Sequence, residues 1–286
     1  MDISFSNGNT YISRDGLFEP SKTFDCGQCF RFNKTEDGSY RGVAFGKVLR
    51  VAQDENCVTL RNASVKDYEE IWQNFFDMGT DYAEIKEKLK TDEVIIHAAE
   101  AGSGIRILRQ ELWECLISFI VSQNNNIPRI KKIIEALCAN YGEKLVFDGQ
   151  EFYSFPTPER LAAVDPSEFK ALGAGYRDEY ISLAARGVAS GKVDLKSLSL
   201  LPTEEARKEL LALKGIGGKV ADCILLFGMH RTEVCPHDVW VKRIFSERYH
   251  IENINEKKGY ALARSKWGDY AGIAQQYLFF AEREEK

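Results

Sequence analysis

The chain has 286 residues, 44% of them hydrophobic and 12% aromatic, enough to bury one large core or two modest ones. No apolar run approaches membrane-spanning length, and the opening MDISFSNGNTYISRDG lacks the charged-then-apolar layout of a signal peptide, so a soluble intracellular protein is expected. The net charge of −5 argues against a nucleic-acid partner until it is divided: residues 1–100 carry 12 basic and 18 acidic side chains, residues 101–286 carry 26 and 25.

Residues 1 to about 64 alternate in polarity, and Asn7–Gly8, Asp37–Gly38 and Gly46 punctuate them as hairpin turns, which predicts an antiparallel sheet. From Val65 onward the patterns are helical: DYEEIWQNFF, DYAEIKEKLK, ECLISFIVSQ and IKKIIEALCANY. With no repeat or low-complexity linker, the two parts are expected to pack as one unit of the α+β class. The predicted division lies near Gly102–Gly104: a sheet domain with flanking helices over 1–103, then an all-helical domain over 104–286. Seven cysteines, an odd number, suit reduced thiols better than a disulfide framework. Cys26-x-x-Cys29 has zinc-ligand spacing, but no second pair completes a tetrahedral site, so no metal is expected.

The densest pattern runs from Leu201 to Phe245. Leu201–Leu213 reads as a short helix, and Gly215, Gly217 and Gly218 make a turn too tight for side chains. Val220 starts a second helix, with Val220, Cys223, Ile224 and Phe227 on one face. Such a helix–hairpin–helix leaves backbone N–H groups free at a helix N-terminus, where a phosphate is favoured. Lys219 sits at that N-terminus, and Asp238 follows a Pro-containing loop. On spacing alone Lys219 is as much a phosphate contact as a nucleophile, and Asp238 has an ordinary use as an N-cap. Together, a lysine and a carboxylate behind a phosphate-gripping hairpin suggest chemistry on DNA. Attack at a sugar C1′ would displace a base and give a Schiff base, whose acidified C2′ proton permits β-elimination.

LKGIGGK, the V-A-D-C after Lys219 and the P-x-D-V around Asp238 resemble the helix–hairpin–helix DNA glycosylases, and among them the 8-oxoguanine DNA glycosylase/AP lyases. SQNNNIPRI (Ser122–Ile130), LGAGYRDEY (Leu172–Tyr180), CGQCFRF (Cys26–Phe32) and AGIAQQYLF (Ala271–Phe279) carry the resemblance over nearly the whole chain. The family implies the same α+β layout, an active site in the cleft between the parts, damaged double-stranded DNA as partner, no cofactor and a monomer. It implies Lys219 as nucleophile and Asp238 as catalytic carboxylate.

The resemblance further implies that Gly27, Cys223, Gln275 and Phe279 receive the extruded base. Gly27 would offer a backbone carbonyl to the N7–H that distinguishes 8-oxoguanine from guanine. Asn124, Arg129, Tyr176 and Arg177 would fill the gap left in the duplex and contact the opposite base, while Gly215, Gly217 and Gly218 grip phosphate. Each also has a plain structural use: an inert buried thiol for Cys223, core and surface for Phe279 and Gln275, a cap for the asparagine run, a loop anchor for Tyr176–Arg177. Two departures stand out. Lys214 occupies the family's usual proline position, and Trp240 stands where close relatives carry a histidine thought to contact phosphate. No cysteine follows Cys235, so the C-terminal iron–sulfur motif of some relatives is absent. The rival readings are a non-catalytic DNA-binding module and a glycosylase for another damaged purine.

Overall fold

In the computed structural model, which describes residues 2–252 and 254–284, the alternating N-terminal segment forms a six-stranded antiparallel sheet in the order β1-β2-β6-β5-β4-β3. The strands are β1 Ile3–Ser6, β2 Asn9–Ser13, β3 Asn33–Lys34, β4 Tyr40–Ala44, β5 Lys47–Gln53 and β6 Cys57–Arg61. All three predicted turns fall at hairpins. Asn7 and Gly8 (φ 50° and 72°) join β1 to β2, Phe45 and Gly46 (52° and 67°) join β4 to β5, and Gly38 lies between β3 and β4.

Register follows from which face is buried. Thr10 and Ile12 of β2 stand opposite Leu60 and Val58 of β6, and Leu60 in turn opposes Val51 of β5, so one face of the sheet is apolar. The helical run 65–75 covers it, opened by a Ser64–Asp67 capping box and carrying a π turn over Tyr68–Trp72. Trp72, Phe75 and Phe76 pack beneath, with the Phe24 and Phe32 rings stacked 4.3 Å apart.

The larger core is built from the helices, chiefly Leu112–Ser122, Ile127–Tyr141, Asp178–Ala189, Gly218–Gly228 and Ala271–Glu284. It also takes Cys26 and Phe30 from the N-terminal part and Tyr82, Ile85 and Ile95 from the helices that follow, while Leu108 belongs to the sheet's core. The two cores therefore interleave along the chain. Arg106 fastens this junction: fully buried, it donates to the carbonyls of Leu17, Phe76, Asp77 and Thr80 and lies 4.3 Å over the Tyr82 ring.

One expectation is corrected. The chain beyond Val65 is not helical throughout, because Lys144–Phe147 (β7) and Gln150–Tyr153 (β8) pair as a hairpin around Asp148–Gly149. The Asp-Gly dipeptide takes φ of 49° and 69°, the geometry a two-residue hairpin turn requires.

Candidate active site

The hairpin joins helices Thr203–Leu211 and Gly218–Gly228. Both bounds shift from expectation: the first helix ends two residues before Leu213, and the second starts two before Val220, capped by Gly217. Lys219 therefore falls inside the first turn. No side chain caps this helix, which leaves its first N–H groups available to an anion. Arg207 ties the two helices together, donating to buried Asp222 at 2.7 Å and to Glu256 at 2.6 Å; burial pushes the Asp222 carboxyl up to about 6. Lys214, at the family's proline position, is exposed and lies 3.6 Å from Glu179.

Two of the hairpin glycines differ in what requires them. Gly215 has φ of 90°, and a Cβ there would come within 2.3 Å of the Tyr180 ring; Gly217 has ordinary φ and nothing within 4 Å. Gly215→Ala should therefore cost at least about 2 kcal/mol of stability, visible as a fall in Tm. Gly217→Ala should leave Tm within a degree or two yet weaken DNA binding several-fold, because only an approaching phosphate would meet the added methyl. Equal Tm losses in the two variants would contradict this division.

Ahead of the hairpin helix, between it and the N-terminal part, lies a cavity of about 420 Å³. Gly27, Lys219, Cys223, Asp238, Gln275 and Phe279 all line it. Lys219 and Cys223 are one turn apart, and the Lys219 Nζ stands 5.6 Å from the Phe119 ring centroid. Burial pushes the Cys223 thiol up to about 11, opposed by the neighbouring Lys219 cation. Asp238 caps helix Val239–Glu247, its Oδ1 accepting from the N–H groups of Trp240 and Val241 at 2.9 Å each. The N-cap use foreseen for it is real, and it holds the carboxylate rigidly at the cavity wall.

Gly27 owes its place to its neighbour. Gln28 is fully buried; its Nε2 donates to the carbonyls of Thr23 and Arg106, and its Oε1 accepts from the Leu108 N–H, all at 2.8 Å. This fixes a loop in which Gly27 adopts φ of 79° against Ile127 and Phe279. Cys26 and Cys29 flank it as buried thiols; burial pushes Cys26 up to about 12 and Cys29 further still. Among the described residues no three His, Cys, Asp or Glu side chains stand together as a metal site.

Asn124, Arg129, Tyr176 and Arg177 do not line this cavity but form a second cluster beside it. The apolar helix ends at Ser122, Asn124 turns left-handed (φ 45°), and Asn126 caps helix Ile127–Tyr141. Tyr176 is 54% exposed. Arg129 Nη2 donates to the Gly173 carbonyl at 3.2 Å. Arg177, expected at the opposite base, is here 3% exposed, with its guanidinium on the carbonyls of Gln123, Asn124 and Ala174 and 4.5 Å over the Tyr176 ring. In this structure it braces the Asn124 loop, since the 172–175 turn brings those carbonyls within its reach.

Of the further wall residues, Phe119, Gln276 and Arg283 have no role assigned from the sequence, and Trp240 stands out there only as a departure from the family. Trp240 meets Phe279 edge-on at 5.8 Å, and the Arg283 guanidinium lies 5.4 Å from the same ring while donating to the Asp25 carbonyl. Arg283 follows Phe279 at i+4, a helical spacing that could have flagged it. Phe119 and Gln276 carry no comparable motif.

Comparison with known proteins covers both halves. The model of the 8-oxoguanine DNA glycosylase N-terminal domain matches residues 11–116, and that of the HhH-GPD superfamily base excision DNA repair proteins matches residues 117–269. A "Probable N-glycosylase/DNA lyase" of Methanothermobacter thermautotrophicus is 30% identical, over 91% of this chain and 94% of its own. An N-glycosylase/DNA lyase of Arabidopsis thaliana is 34% identical, over 91% and 76%. The solved 8-oxoguanine glycosylase/lyase of Clostridium acetobutylicum, in complex with double-stranded DNA containing cytosine opposite 8-oxoguanine, is 36% identical with a TM-score of 0.96, covering 100% of this chain and 98% of that one. By sequence over both halves and by fold over its whole length, this chain belongs to the HhH-GPD superfamily of base excision DNA repair proteins, in the branch that carries the 8-oxoguanine DNA glycosylase N-terminal domain.

Proposed function

We propose that the protein excises 8-oxoguanine from duplex DNA and then cleaves the strand at the same site. The observation that carries this reading is the single cavity on which Gly27, Lys219, Cys223, Asp238, Gln275 and Phe279 meet. The hairpin amides hold a backbone phosphate, and the lesion swings out of the stack into the cavity. Phe279 and Cys223 lie on its two faces, Gln275 takes its Watson–Crick edge, and the Gly27 carbonyl accepts the N7–H that guanine lacks. Tyr176, Asn124 and Arg129 occupy the duplex where the base was, with Arg177 shaping their loop.

In the chemical step the Lys219 ammonium first gives up a proton to water, and the free amine then bonds through Nζ to C1′ as the C1′–N9 bond breaks; the electron pair leaves with the base, which takes up a proton. Asp238 offsets the positive charge that develops on the sugar. Loss of a nitrogen proton and ring opening give the Schiff base. Removal of a C2′ proton then expels the 3′ phosphate by β-elimination, and hydrolysis frees Lys219. A monomer is proposed, as the family resemblance implies. The substrate would put its work at the nucleoid or, in a nucleated cell, in the nucleus.

A panel of duplexes carrying defined lesions tests the reading: 8-oxoguanine should be released with β-elimination, and release of alkylated purines in its place would overturn it. Gly27→Ala tests the N7 reader. A methyl there meets Ile127 and Phe279 at ordinary contact distances of 3.6 and 3.7 Å, but φ of 79° is strained for alanine. The loop must shift, and 8-oxoguanine excision should fall about tenfold or more while folding survives. Unchanged excision opposite cytosine would move the discriminating contact elsewhere.

A further inference from the structure

Gln276 follows Gln275 on helix Ala271–Glu284; both line the cavity, at 4% and 3% exposure. Gln276 Nε2 donates to Gln275 Oε1 at 2.8 Å. The Gln276 Oε1 is buried and has no hydrogen-bond partner. Among the described residues it is the one such buried side-chain atom on a residue lining this cavity. An amide oxygen held out of water without a donor is destabilising. Its survival points to a use for the bond that the same amide makes to Gln275.

We propose that Gln276 is a positioning residue for base reading: its Nε2 holds the Oε1 of Gln275 and so fixes which way round that amide meets the edge of the extruded base. This rests on the cavity being the base slot, as proposed above. An amide free to rotate suits either kind of purine edge, because its oxygen and nitrogen exchange places. With Oε1 of Gln275 already engaged by Gln276, the pair cannot rotate without breaking that bond. The Oε1 of Gln275 then keeps its second lone pair for the edge. A guanine-type edge offers N–H donors at N1 and at the 2-amino group, either of which that acceptor can take. An adenine-type edge presents a bare N1 lone pair, which would oppose an amide oxygen. The pair thus selects guanine-type purines, a choice separate from the N7 contact at Gly27.

The test compares single-turnover release of 8-oxoguanine and of 8-oxoadenine from otherwise identical duplexes. Gln276→Met keeps length and volume but removes both polar atoms, and Gln276→Glu keeps the acceptors but removes the donor to Gln275. Gln276→Met deletes an unpartnered buried oxygen but also the donor to Gln275, two opposing effects that should leave its Tm within a few degrees of the parent's. In both variants the ratio of 8-oxoguanine to 8-oxoadenine release should drop about tenfold or more, the scale of one well-placed hydrogen bond. A ratio within twofold of the parent's in both, whatever the absolute rates, would overturn the role of Gln276. A parent protein that releases no 8-oxoguanine would instead overturn the functional reading beneath it.

Discussion

Replacing Lys219 with glutamine is expected to abolish the borohydride-trapped adduct with lesion DNA and to lower excision by at least about 1,000-fold, on the scale seen when an enzyme's nucleophile is removed. An amide nitrogen cannot form the bond to C1′, and among the described residues no other lysine lines the cavity. DNA affinity should change only a few-fold, since in the proposed mode a phosphate would be held by backbone amides at the start of the hairpin helix, where no side-chain cap bond is made. The side chain is only half-buried and its cation lies over the Phe119 ring, so Tm should hardly move. Trapping on 8-oxoguanine duplexes, read beside a binding titration, checks all three. An undiminished adduct would mean that another amine attacks.

Asp238→Asn should fold, bind and excise at least about 100-fold more slowly, the cost of removing one electrostatic group from a site where charge develops. The two uses of Asp238 are separable. An asparagine Oδ1 can still accept from the N–H groups of Trp240 and Val241, so helix Val239–Glu247 keeps its cap. What it cannot supply is negative charge against a cationic sugar. Asp238→Ala loses the cap as well and should cost a further ~1 kcal/mol of stability. Single-turnover excision and thermal melts on the two variants separate the effects. Near-normal excision by Asp238→Asn would reduce the residue to a cap.

Where local chemistry governs the outcome, the fold was legible in the sequence. Asn7–Gly8 and Phe45–Gly46 turn because they populate positive φ, and the alternation in β2 and β6 predicts which residues face inward. The β7–β8 hairpin escaped notice despite its Asp-Gly, because both strands are only four residues long and exposed or half-buried. The cavity was legible through motif spacing: Lys219 with Cys223, and Gln275 with Phe279, are each one helical turn apart. The state of Arg177 was not, since its burial depends on carbonyls of Gln123 and Asn124 brought up from another segment. Gln276 was hidden for a related reason: an unpartnered oxygen is defined by everything around it, and no motif encodes that.

The central claim is that Lys219 is the atom-level point of attack on DNA bearing 8-oxoguanine. Reducing the complex with borohydride on an 8-oxoguanine–cytosine duplex, digesting it, and locating the sugar remnant by mass spectrometry tests this directly. The account predicts the remnant on the peptide containing Lys219 and on no other. A remnant on a different lysine or on the N-terminal amine, or base release with no trappable adduct at all, would contradict it.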